Sequence, residues 1–304
     1  MRRVLFIVNP KSGKANIKNT LLGVVDIFTK NKCLTSVYIT QRGKEATEIV
    51  EQIGSDFDFI VCAGGDGTLD EVVAGVMSLE KHVPIGYIPA GSTNDFARSL
   101  GISGDNLEAA NTIMQGKEFL CDVGYFNDSY FTYVAAFGAF TEVSYQTPQQ
   151  VKNLLGHLAY ILEGAKSLAS ITSYHVEVSY VDGETGQEEF IKDDILLGMV
   201  TNSLSVGGMK RFKEEEVLFD DGLFEVILIR KPKNMIELNG ILGSLLLNDY
   251  NKDYMYFFKT ANIKVCCEEE IKWTLDGEFG GGLKEVEILN LKQRFGIYRN
   301  LELV

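Results

Sequence analysis

The sequence predicts an α/β fold in its N-terminal part and a mainly β fold in its C-terminal part. Strand-like and helix-like patterns alternate up to about residue 120, and strand-like segments joined by turns dominate after it. The length of 304 residues also exceeds what one hydrophobic core normally supports. We therefore predict two domains, with the change of pattern between residues 120 and 130 as their boundary.

The N-terminal part has the pattern of a series of βαβ units. Each buried strand pattern is followed by apolar residues at helical spacing. The strand-like segments are residues 3–10, 34–40, 57–65 and 83–92, and the helix-like segments are residues 16–31, 43–54, 68–79 and 106–116. Since this alternation requires crossover connections, we predict a doubly wound, mostly parallel sheet with helices on both faces.

The C-terminal part shows mainly strand patterns. Residues 121–140 have the pattern of a hairpin with "FNDSYF" as its turn, and residues 154–171 form the one convincing helical pattern of this half. Further strand-like segments are residues 174–203, 222–231, 262–281 and 285–298. Such a series of strands joined by turns predicts a sandwich-like β domain.

The net charge of −13 limits the partners of this protein. A nucleic-acid partner is not expected, because it requires a basic surface that meets phosphates. The chain has no run of eighteen apolar residues, and its first apolar stretch is too short for a signal peptide. We therefore expect a cytoplasmic protein.

The stretch "IVCAGGDGTLDEVV" (residues 60–73) places three glycines around Asp66, between a strand pattern and a helix pattern. Glycines let the backbone approach a ligand closely, and the N-terminus of the following helix favours anions. Gly64, Gly65 and Gly67 therefore suit a phosphate chain. A carboxylate beside phosphates is explained if Mg²⁺ stands between them. The alternative is a plain strand-to-helix turn in which Asp66 caps the helix.

Two other loops also follow strand patterns, namely "NPKSGK" (residues 9–14) and "IPAGSTNDFARSLGI" (residues 88–102). Both fall at the carboxyl ends of parallel strands, where open α/β sheets bind ligands. Together with "GGDGT", these loops closely resemble the three N-terminal signatures of the bacterial diacylglycerol kinase family. The "GGDGT" motif alone is shared with sphingosine kinases and NAD kinases and, with serine in place of threonine, with phosphofructokinases.

The resemblance continues through the second half of the chain. The matching residues are Asp122 with Gly124, the Asp-Asp-Gly of residues 220–222, and Asp276, Gly277 and Glu278 within "TLDGEF". Five motifs in the family's order thus cover about residues 4–298. The resemblance implies an active site in the cleft between a nucleotide-binding domain, residues 1–125, and a lipid-substrate domain, residues 126–290. It also implies that residues 291–304 return to the first domain.

The resemblance implies a role for each matching residue. The phosphates of ATP would be bound by Asn9, Ser12, Gly13, Lys14, Thr40, Gly64, Gly65, Gly67, Thr68, Thr93 and Asn94. Asp66, Asp95 and Asp122 would form a network of carboxylates and waters around the catalytic Mg²⁺. Glu278 would lie opposite Asp66 and take the proton from the acceptor hydroxyl, a role that Asp66 could share or hold alone.

A second, structural Mg²⁺ is implied near the Asp-Asp-Gly turn. Its ligands would be Asp221, the carbonyl of Leu223 and an upstream acid, for which Glu216 is the candidate. The segment "FKEEEVLF" is richer in glutamate than the family's pattern at this point. A solvent-exposed charge run explains Glu216 equally well.

The predicted function is transfer of the γ-phosphate of ATP to the hydroxyl of diacylglycerol, which gives phosphatidic acid. A sphingoid base or another alcohol as acceptor would keep the same catalytic residues. NAD kinase is a further alternative, although NAD kinases lack the "GSTNDFA" loop. A non-catalytic nucleotide-binding protein is the last alternative, against which the presence of Asp66, Asp122 and Glu278 together argues.

A kinase of membrane lipids has to meet the membrane surface. We therefore expect a peripheral protein at the inner membrane surface, and the resemblance suggests a homodimer. The apolar face of residues 151–171, with Lys152 and Lys166, and the basic segment of residues 207–213 are candidate lipid contacts. The first alternatively packs within its own domain, and the second is alternatively an exposed turn.

Overall fold

The computed structural model of the chain describes residues 1–13, 17–92, 94–138, 171–202, 218–247 and 251–300. The chain forms two compact units: unit 1 comprises Met1–Asp122 and Gln293–Val304, and unit 2 comprises Val123–Lys292. The domain boundaries expected after residues 125 and 290 are near these divisions, and the functions expected of the two domains remain predictions. Residues 154–170 of the expected helix, and the basic segment 207–213, lie outside the described residues.

Unit 1 alternates strands and helices. Its strands are β1 (Arg2–Val8), β2 (Cys33–Ile39), β3 (Phe59–Gly64) and β4 (Ile85–Pro89), and its helices are α1 (Ile17–Lys30), α2 (Glu45–Ile53), α3 (Asp66–Met77), α4 (Asp95–Ser99) and α5 (Asn106–Gln115). Strand β5 (Lys117–Phe126) begins in this unit, and β13 (Glu278–Arg299) ends in it.

The strands β1 to β4 form a parallel sheet in the order β2–β1–β3–β4. Strand β3 is buried along its whole length, as expected of a strand in the middle of a covered sheet. The end of β13 adds to this sheet through the parallel pair Ile297 and Ile85. The strand order changes direction between β1 and β3, and at such a point the loops after the two strands leave a crevice that can bind a ligand. The parallel sheet predicted from the sequence is confirmed.

Unit 2 is rich in strands. It contains β6 (Ser129–Phe131), β7 (Val134–Gly138), β8 (Tyr174–Val181), β9 (Glu188–Thr201), β10 (Phe224–Arg230), α6 (Met235–Leu247), β11 (Met255–Thr260), β12 (Asn262–Leu275) and most of β13. The pairing is antiparallel, in the order β11–β10–β9, then β7 and β8, then β12–β13. Strands β9 and β12 are long enough for each to pair with β7 over one half and β8 over the other. The sandwich-like packing of these strands remains a prediction.

Alternate residues of these strands form the hydrophobic core of unit 2. Phe224, Val226 and Leu228 of β10 belong to it, as do Val176 and Val178 of β8. The ring of Trp273 belongs to this cluster, with ring-centroid distances of 5.1 Å to Phe126 and 4.7 Å to Phe137. Alternate residues of these strands thus face one core, as expected of side chains that point to opposite faces of a sheet.

Helix α6 was not expected, because residues 154–171 were the one convincing helical pattern of the C-terminal part. The expectation of a single convincing helix there is therefore wrong. Its sequence, "MIELNGILGSLLL", is apolar around most of the helix and includes Gly240 and Gly243, so it lacks a clear amphipathic period. At its start, the side-chain oxygen of Asn234 accepts from the N–H of Glu237, and the carboxylate of Glu237 accepts from the N–H of Lys233. This cap was the signal in the sequence. None of the described helices combines the length and apolar character needed to cross a membrane.

Gly75 is required by close packing between α2 and α3. A Cβ atom at Gly75 would lie 2.7 Å from Cβ of Val50 and 3.0 Å from the carbonyl oxygen of Thr47. We therefore expect Gly75→Ala to destabilise the protein by about 1–3 kcal/mol, although alanine favours helices. The measurement is the free energy of unfolding from chemical denaturation.

Gly243 in α6 provides the matched control, because a Cβ atom there would meet nothing within 4 Å. We expect Gly243→Ala to be neutral or to stabilise the protein by up to about 1 kcal/mol. Equal destabilisation by the two substitutions would contradict the packing explanation for Gly75.

Candidate active site

The loop after β1 is tied to the end of β3 and to the start of α3. The N–H of Asn9 donates to the carbonyl of Ala63 at 2.9 Å, and its side-chain amide donates to the hydroxyl of Thr68 at 2.9 Å. Its side-chain oxygen accepts from the N–H of Lys11 at 3.0 Å. Asn9 and Thr68, both expected at a phosphate site, therefore hold two loops at the carboxyl ends of adjacent strands. Lys14 lies outside the described residues.

Glycines permit close contact between the loops after β3 and β4. A Cβ atom at Gly91 would lie 2.5 Å from the Cα of Gly65, and a Cβ atom at Gly64 would lie 2.5 Å from the side chain of Thr68. The N–H of Gly65 also donates to the buried hydroxyl of Ser12 at 3.3 Å. The three loops therefore meet at the carboxyl ends of β1, β3 and β4, as the sequence analysis expected.

Gly13 completes this contact from the loop after β1. Its φ of +51° lies in the left-handed region, and a Cβ atom would lie 2.5 Å from the carbonyl oxygen of Ala90. The N–H of Ala90 in turn donates to the carbonyl of Gly64 at 2.7 Å. A side chain at position 13 would therefore be strained and would also collide with the loop after β4.

Asp66 is the first residue of α3, and its side chain is buried. One carboxylate oxygen accepts from the N–H of Asp95 at 3.1 Å, and the other accepts from the N–H of Phe96 at 3.4 Å. The carboxylate of Asp66 thus holds the start of α4, a short helix within the segment 88–102 that the sequence predicts as a loop. Gly67 follows in the first turn of α3 and is half-buried.

Asn94 is fixed by its own loop. It has a φ of 55°, and its side-chain amide both accepts from the N–H of Gly91 at 2.9 Å and donates to the carbonyl of Gly91 at 3.1 Å. This double contact fixes the loop directly before Asp95, which is buried. Thr93, expected to bind phosphate, lies outside the described residues.

Asp122 lies within β5 at the last position before the chain enters unit 2, and Thr40 directly follows β2. Asp122 is fully buried, and its carboxylate accepts from the N–H of Gln293 at 2.7 Å. This bond joins the two positions at which the chain leaves and re-enters unit 1. The N–H of Thr40, directly after β2, donates to the carbonyl of Val8 at 3.0 Å.

Glu278 begins β13, directly after the tight turn that joins it to β12. Asp276 and Gly277 have φ values of 50° and 92°, which is the left-handed geometry that two-residue hairpin turns prefer. The side chain of Glu278 is exposed.

Asp276 holds this turn in place. Its buried carboxylate accepts from the N–H groups of Thr132, Tyr133 and Val134 at 2.6, 3.1 and 2.7 Å. The hydroxyl of Thr132 lies 3.2 Å from the same carboxylate. Asp276 therefore positions the turn from which Glu278 emerges, a function that the sequence pattern did not predict. The Asp-Gly pair signals the turn, but nothing local identifies its partners.

The Asp-Asp-Gly segment forms a turn in unit 2. The N–H of Leu223 donates to the carboxylate of Asp221 at 2.9 Å, and Gly222 has a φ of +86°. Glu216, the third expected ligand of a structural metal, lies outside the described residues. The structure thus shows two of the three expected ligand residues in one turn.

Glu225 is a buried acid close to this turn that the sequence analysis missed. Burial raises the pKa of its carboxyl to about 7, Lys259 opposes the rise, and the charge of Asp221 adds to it. The amine of Lys259 lies 3.0 Å from one carboxylate oxygen. The single acid within "LFEVILI" was the available signal.

The acids of unit 1 fit a hydrated Mg²⁺ better than a metal enclosed by protein ligands. Within the described ranges, no three histidine, cysteine or acidic side chains come together as a metal-binding group. Asp66 and Asp122 already accept backbone hydrogen bonds. Mg²⁺ in nucleotide sites typically keeps several waters and contacts one or two carboxylates and the substrate phosphates. The oxygen donors present are therefore suited to Mg²⁺ that arrives with a nucleotide.

Known proteins match this chain over its full length. Residues 3–126 match the diacylglycerol kinase catalytic domain. The diacylglycerol kinase of Bacillus subtilis (strain 168) is 36% identical over 307 residues, covering 100% of this chain and 96% of that protein. The diacylglycerol kinase of Staphylococcus carnosus (strain TM300) is 36% identical over 310 residues, covering 100% and 98%.

The structure agrees with these sequence matches. A diacylglycerol kinase structure from Bacillus anthracis str. Sterne superposes with a TM-score of 0.75 at 25% identity, covering 100% of this chain and 98% of that chain. These comparisons define the chain as a kinase that transfers phosphate to an alcohol. It belongs to the diacylglycerol kinase family. The resemblance found in the sequence is confirmed.

The contacts of Asp276 generate a stability prediction. Asp276→Asn places an amide N–H₂ among backbone N–H donors, so at least one donor loses its acceptor in a buried place. We expect the free energy of unfolding to fall by about 1–3 kcal/mol. Urea denaturation followed by circular dichroism measures this change.

Asp182→Asn is the matched control. One carboxylate oxygen of Asp182 also accepts from two backbone N–H groups, those of Glu184 and Thr185, but in a half-exposed turn. Water can replace lost contacts there, so we expect a change below about 0.5 kcal/mol. A loss at Asp276 no larger than at Asp182 would show that the buried contacts do not hold the turn.

Proposed function

We propose that this protein transfers the γ-phosphate of ATP to the hydroxyl of diacylglycerol and so produces phosphatidic acid. The observation that carries the proposal is the meeting of three glycine-containing loops at the carboxyl ends of β1, β3 and β4, with the buried acid Asp66 directly after Gly65. Loops at this position in an open parallel sheet form ligand sites. Membership of the diacylglycerol kinase family supports the reaction and the acceptor.

The phosphates of ATP would bind where these loops meet the start of α3. The backbone of Gly64, Gly65 and Gly67 leaves room for them, and the N-terminus of this helix of twelve residues favours negative charge. Asn9, Ser12, Gly13 and Thr68 hold the loops in this arrangement. Lys14, Thr40, Thr93 and Asn94 complete the proposed nucleotide site on the strength of the family's motifs.

Asp66, Asp95 and Asp122 would contact the nucleotide's Mg²⁺ through water. When bound, that ion neutralises charge on the phosphates, which is the main requirement of phosphoryl transfer. All three side chains are buried, and those of Asp66 and Asp122 are fixed by backbone N–H groups. The positions of the Asp66 and Asp122 carboxylates are therefore set before a nucleotide binds. We also propose that Asp221 and Leu223 belong to a structural metal site with Glu216.

Glu278 is our candidate for the group that takes the acceptor's proton. Its side chain is exposed, and its position is fixed by the turn that Asp276 holds. As the lipid oxygen forms its bond to the γ-phosphorus, the bond to the ADP oxygen breaks and the hydroxyl proton passes to Glu278. The carboxylate oxygens of Asp66 accept from two backbone N–H groups, so we assign Asp66 to holding the start of α4 and to contacting the Mg²⁺ through water.

A different acceptor would leave the residues around ATP unchanged, because acceptor choice depends on the lipid pocket. Sphingoid bases and other alcohols are therefore the alternative substrates. The relatives that match the whole chain are named diacylglycerol kinases, which favours diacylglycerol as the acceptor. A peripheral location at the inner membrane surface and a homodimer remain predictions.

Glu278→Gln tests the proposed reaction and the proposed base together. We expect the wild-type protein to transfer labelled γ-phosphate from Mg·ATP to diacylglycerol in mixed micelles, and the variant to be slower by roughly 100-fold or more. Glu285→Gln on the same strand is the control, because Glu285 is an exposed residue paired with Lys264. We expect this control to retain its activity.

Two results would contradict the proposal in different ways. Full activity of Glu278→Gln would remove Glu278 as the base while leaving the reaction intact. A wild-type protein that binds Mg·ATP but phosphorylates no diacylglycerol would show that the acceptor is wrong, and a panel of other lipid alcohols would then identify it.

Asp66→Asn tests whether this acid acts in catalysis or only caps α4. Asparagine keeps the shape and one oxygen that can accept from the N–H of Asp95 or Phe96, but it lacks the charge. We expect phosphoryl transfer to fall by roughly 100-fold or more, with an unchanged near-ultraviolet circular dichroism spectrum. Retained activity would instead identify Asp66 as a helix cap without a catalytic role.

A further inference from the structure

Asn202, directly after β9, carries a buried side-chain amide. The residue is 1% exposed, and neither its amide nitrogen nor its amide oxygen has a hydrogen-bond partner among the residues that the structure describes. Its backbone is held in place, because its N–H donates to the carbonyl of Tyr133 at 2.9 Å. A buried amide without partners costs free energy, so a fold that keeps one points to a ligand or an ordered water that completes it.

Other polar side chains at this end of the sheet are satisfied within the fold. The hydroxyl of Thr201 donates to the carbonyl of Tyr133 at 2.9 Å, and the hydroxyl of Tyr133 donates to the carbonyl of Asp276 at 3.1 Å. The carboxylate of Asp276 accepts from three backbone N–H groups. The amide of Asn202 therefore differs from its polar neighbours and remains available to a bound molecule.

Asn202 lies on the same face of the sheet of unit 2 as Glu278. Glu278 pairs with Leu275, and Leu275 pairs with Ala135. Ala135 in turn pairs with Val200 of β9, and both belong to the hydrophobic core of unit 2. Directly paired residues share a face, and so do residues two apart on one strand. Asn202 follows Val200 by two residues and continues the pairing of β9, which places its side chain on this face.

Asn202 and Glu278 also lie near the same end of the sheet. The N–H of Asp276, in the turn before Glu278, donates to the carbonyl of Val134 at 2.8 Å, and the N–H of Asn202 donates to the carbonyl of the preceding residue, Tyr133. Three strand spacings separate β9 from β13, which is about 14 Å at roughly 4.8 Å for each spacing. Two side chains, their hydrogen bonds and one glycerol ester between them can span this separation.

The surroundings of Asn202 select a mostly apolar and uncharged ligand. Val200 and Phe224 belong to the core on this face, and the ring of Phe224 stacks on that of Phe131 with a centroid distance of 5.5 Å. An apolar site with one polar group fixes the orientation of its ligand through that group. An amide N–H₂ donates to a carbonyl oxygen. The ester carbonyls of a diacylglycerol are neutral acceptors beside apolar chains, so they match this site.

We propose that Asn202 binds the acceptor lipid, with its side-chain amide donating a hydrogen bond to an ester carbonyl of diacylglycerol while the lipid hydroxyl lies at Glu278. This inference rests on the proposed function, which supplies diacylglycerol as the substrate. The phosphoryl-transfer step itself is unchanged. Asn202 would make the enzyme prefer acyl esters, because a lipid without the carbonyl leaves the buried amide without a partner.

The test compares 1,2-diacylglycerol with 1,2-dialkylglycerol of equal chain length, in which ether linkages replace the esters. The value of kcat/KM for each lipid is measured in mixed micelles with labelled Mg·ATP, for the wild type and for Asn202→Leu. Leucine has as many side-chain heavy atoms as asparagine and no polar ones. We expect the wild type to prefer the diacyl lipid by roughly tenfold or more, and Asn202→Leu to lose most of this preference while keeping its activity on the dialkyl lipid.

Asn290→Leu is the matched control. The amide atoms of Asn290 are likewise buried and without a partner in the described ranges of the chain, but the residue as a whole is only half-buried. Asn290 lies twelve residues beyond Glu278 on β13, so it is remote from the proposed base. We expect this control to keep the wild-type preference. If near-ultraviolet circular dichroism shows that Asn202→Leu does not fold, Asn202→Ala takes its place in the same measurement.

An unchanged preference in the Asn202 variant would overturn the inference, because the amide would then serve an ordered water. Equal loss of preference in the Asn202 and Asn290 variants would also overturn it. A wild type that phosphorylates both lipids equally well would overturn the inference and leave the proposed function intact. A wild type that phosphorylates neither lipid would contradict the proposed function, and the inference about Asn202 would fall with it.

Discussion

The backbone contact between Gly65 and Gly91 is the constraint on which the candidate site of unit 1 depends. It brings the loop after β3 against the loop after β4, at a distance that no side chain at Gly91 could accept. This contact places Asp66, the next residue, within reach of the N–H groups of Asp95 and Phe96. The position of the acid therefore follows from the approach of two backbones, and glycine is required because of packing between loops.

The acids of the shared motifs divide into two kinds. Asp66, Asp122 and Asp276 are buried and accept hydrogen bonds from backbone N–H groups, so each of them fixes the backbone of another segment of the chain. Glu278 is exposed and follows the turn that Asp276 fixes. Within "LDGE", the buried Asp276 therefore fixes the backbone of the turn, and the exposed Glu278 is the acid that we propose as the base.

Local patterns predicted the elements of the fold but not the long-range contacts. The parallel sheet followed from buried runs such as Phe59–Gly64, each followed by helical spacing, and the site loops followed from their positions after these strands. Helix α6 was not predicted because its apolar residues cover most of its surface. Its cap at Asn234 was a sequence signal for the start of a helix. The partners of Asp276 lie 142 to 144 residues away, and no pattern within one segment specifies such a pairing.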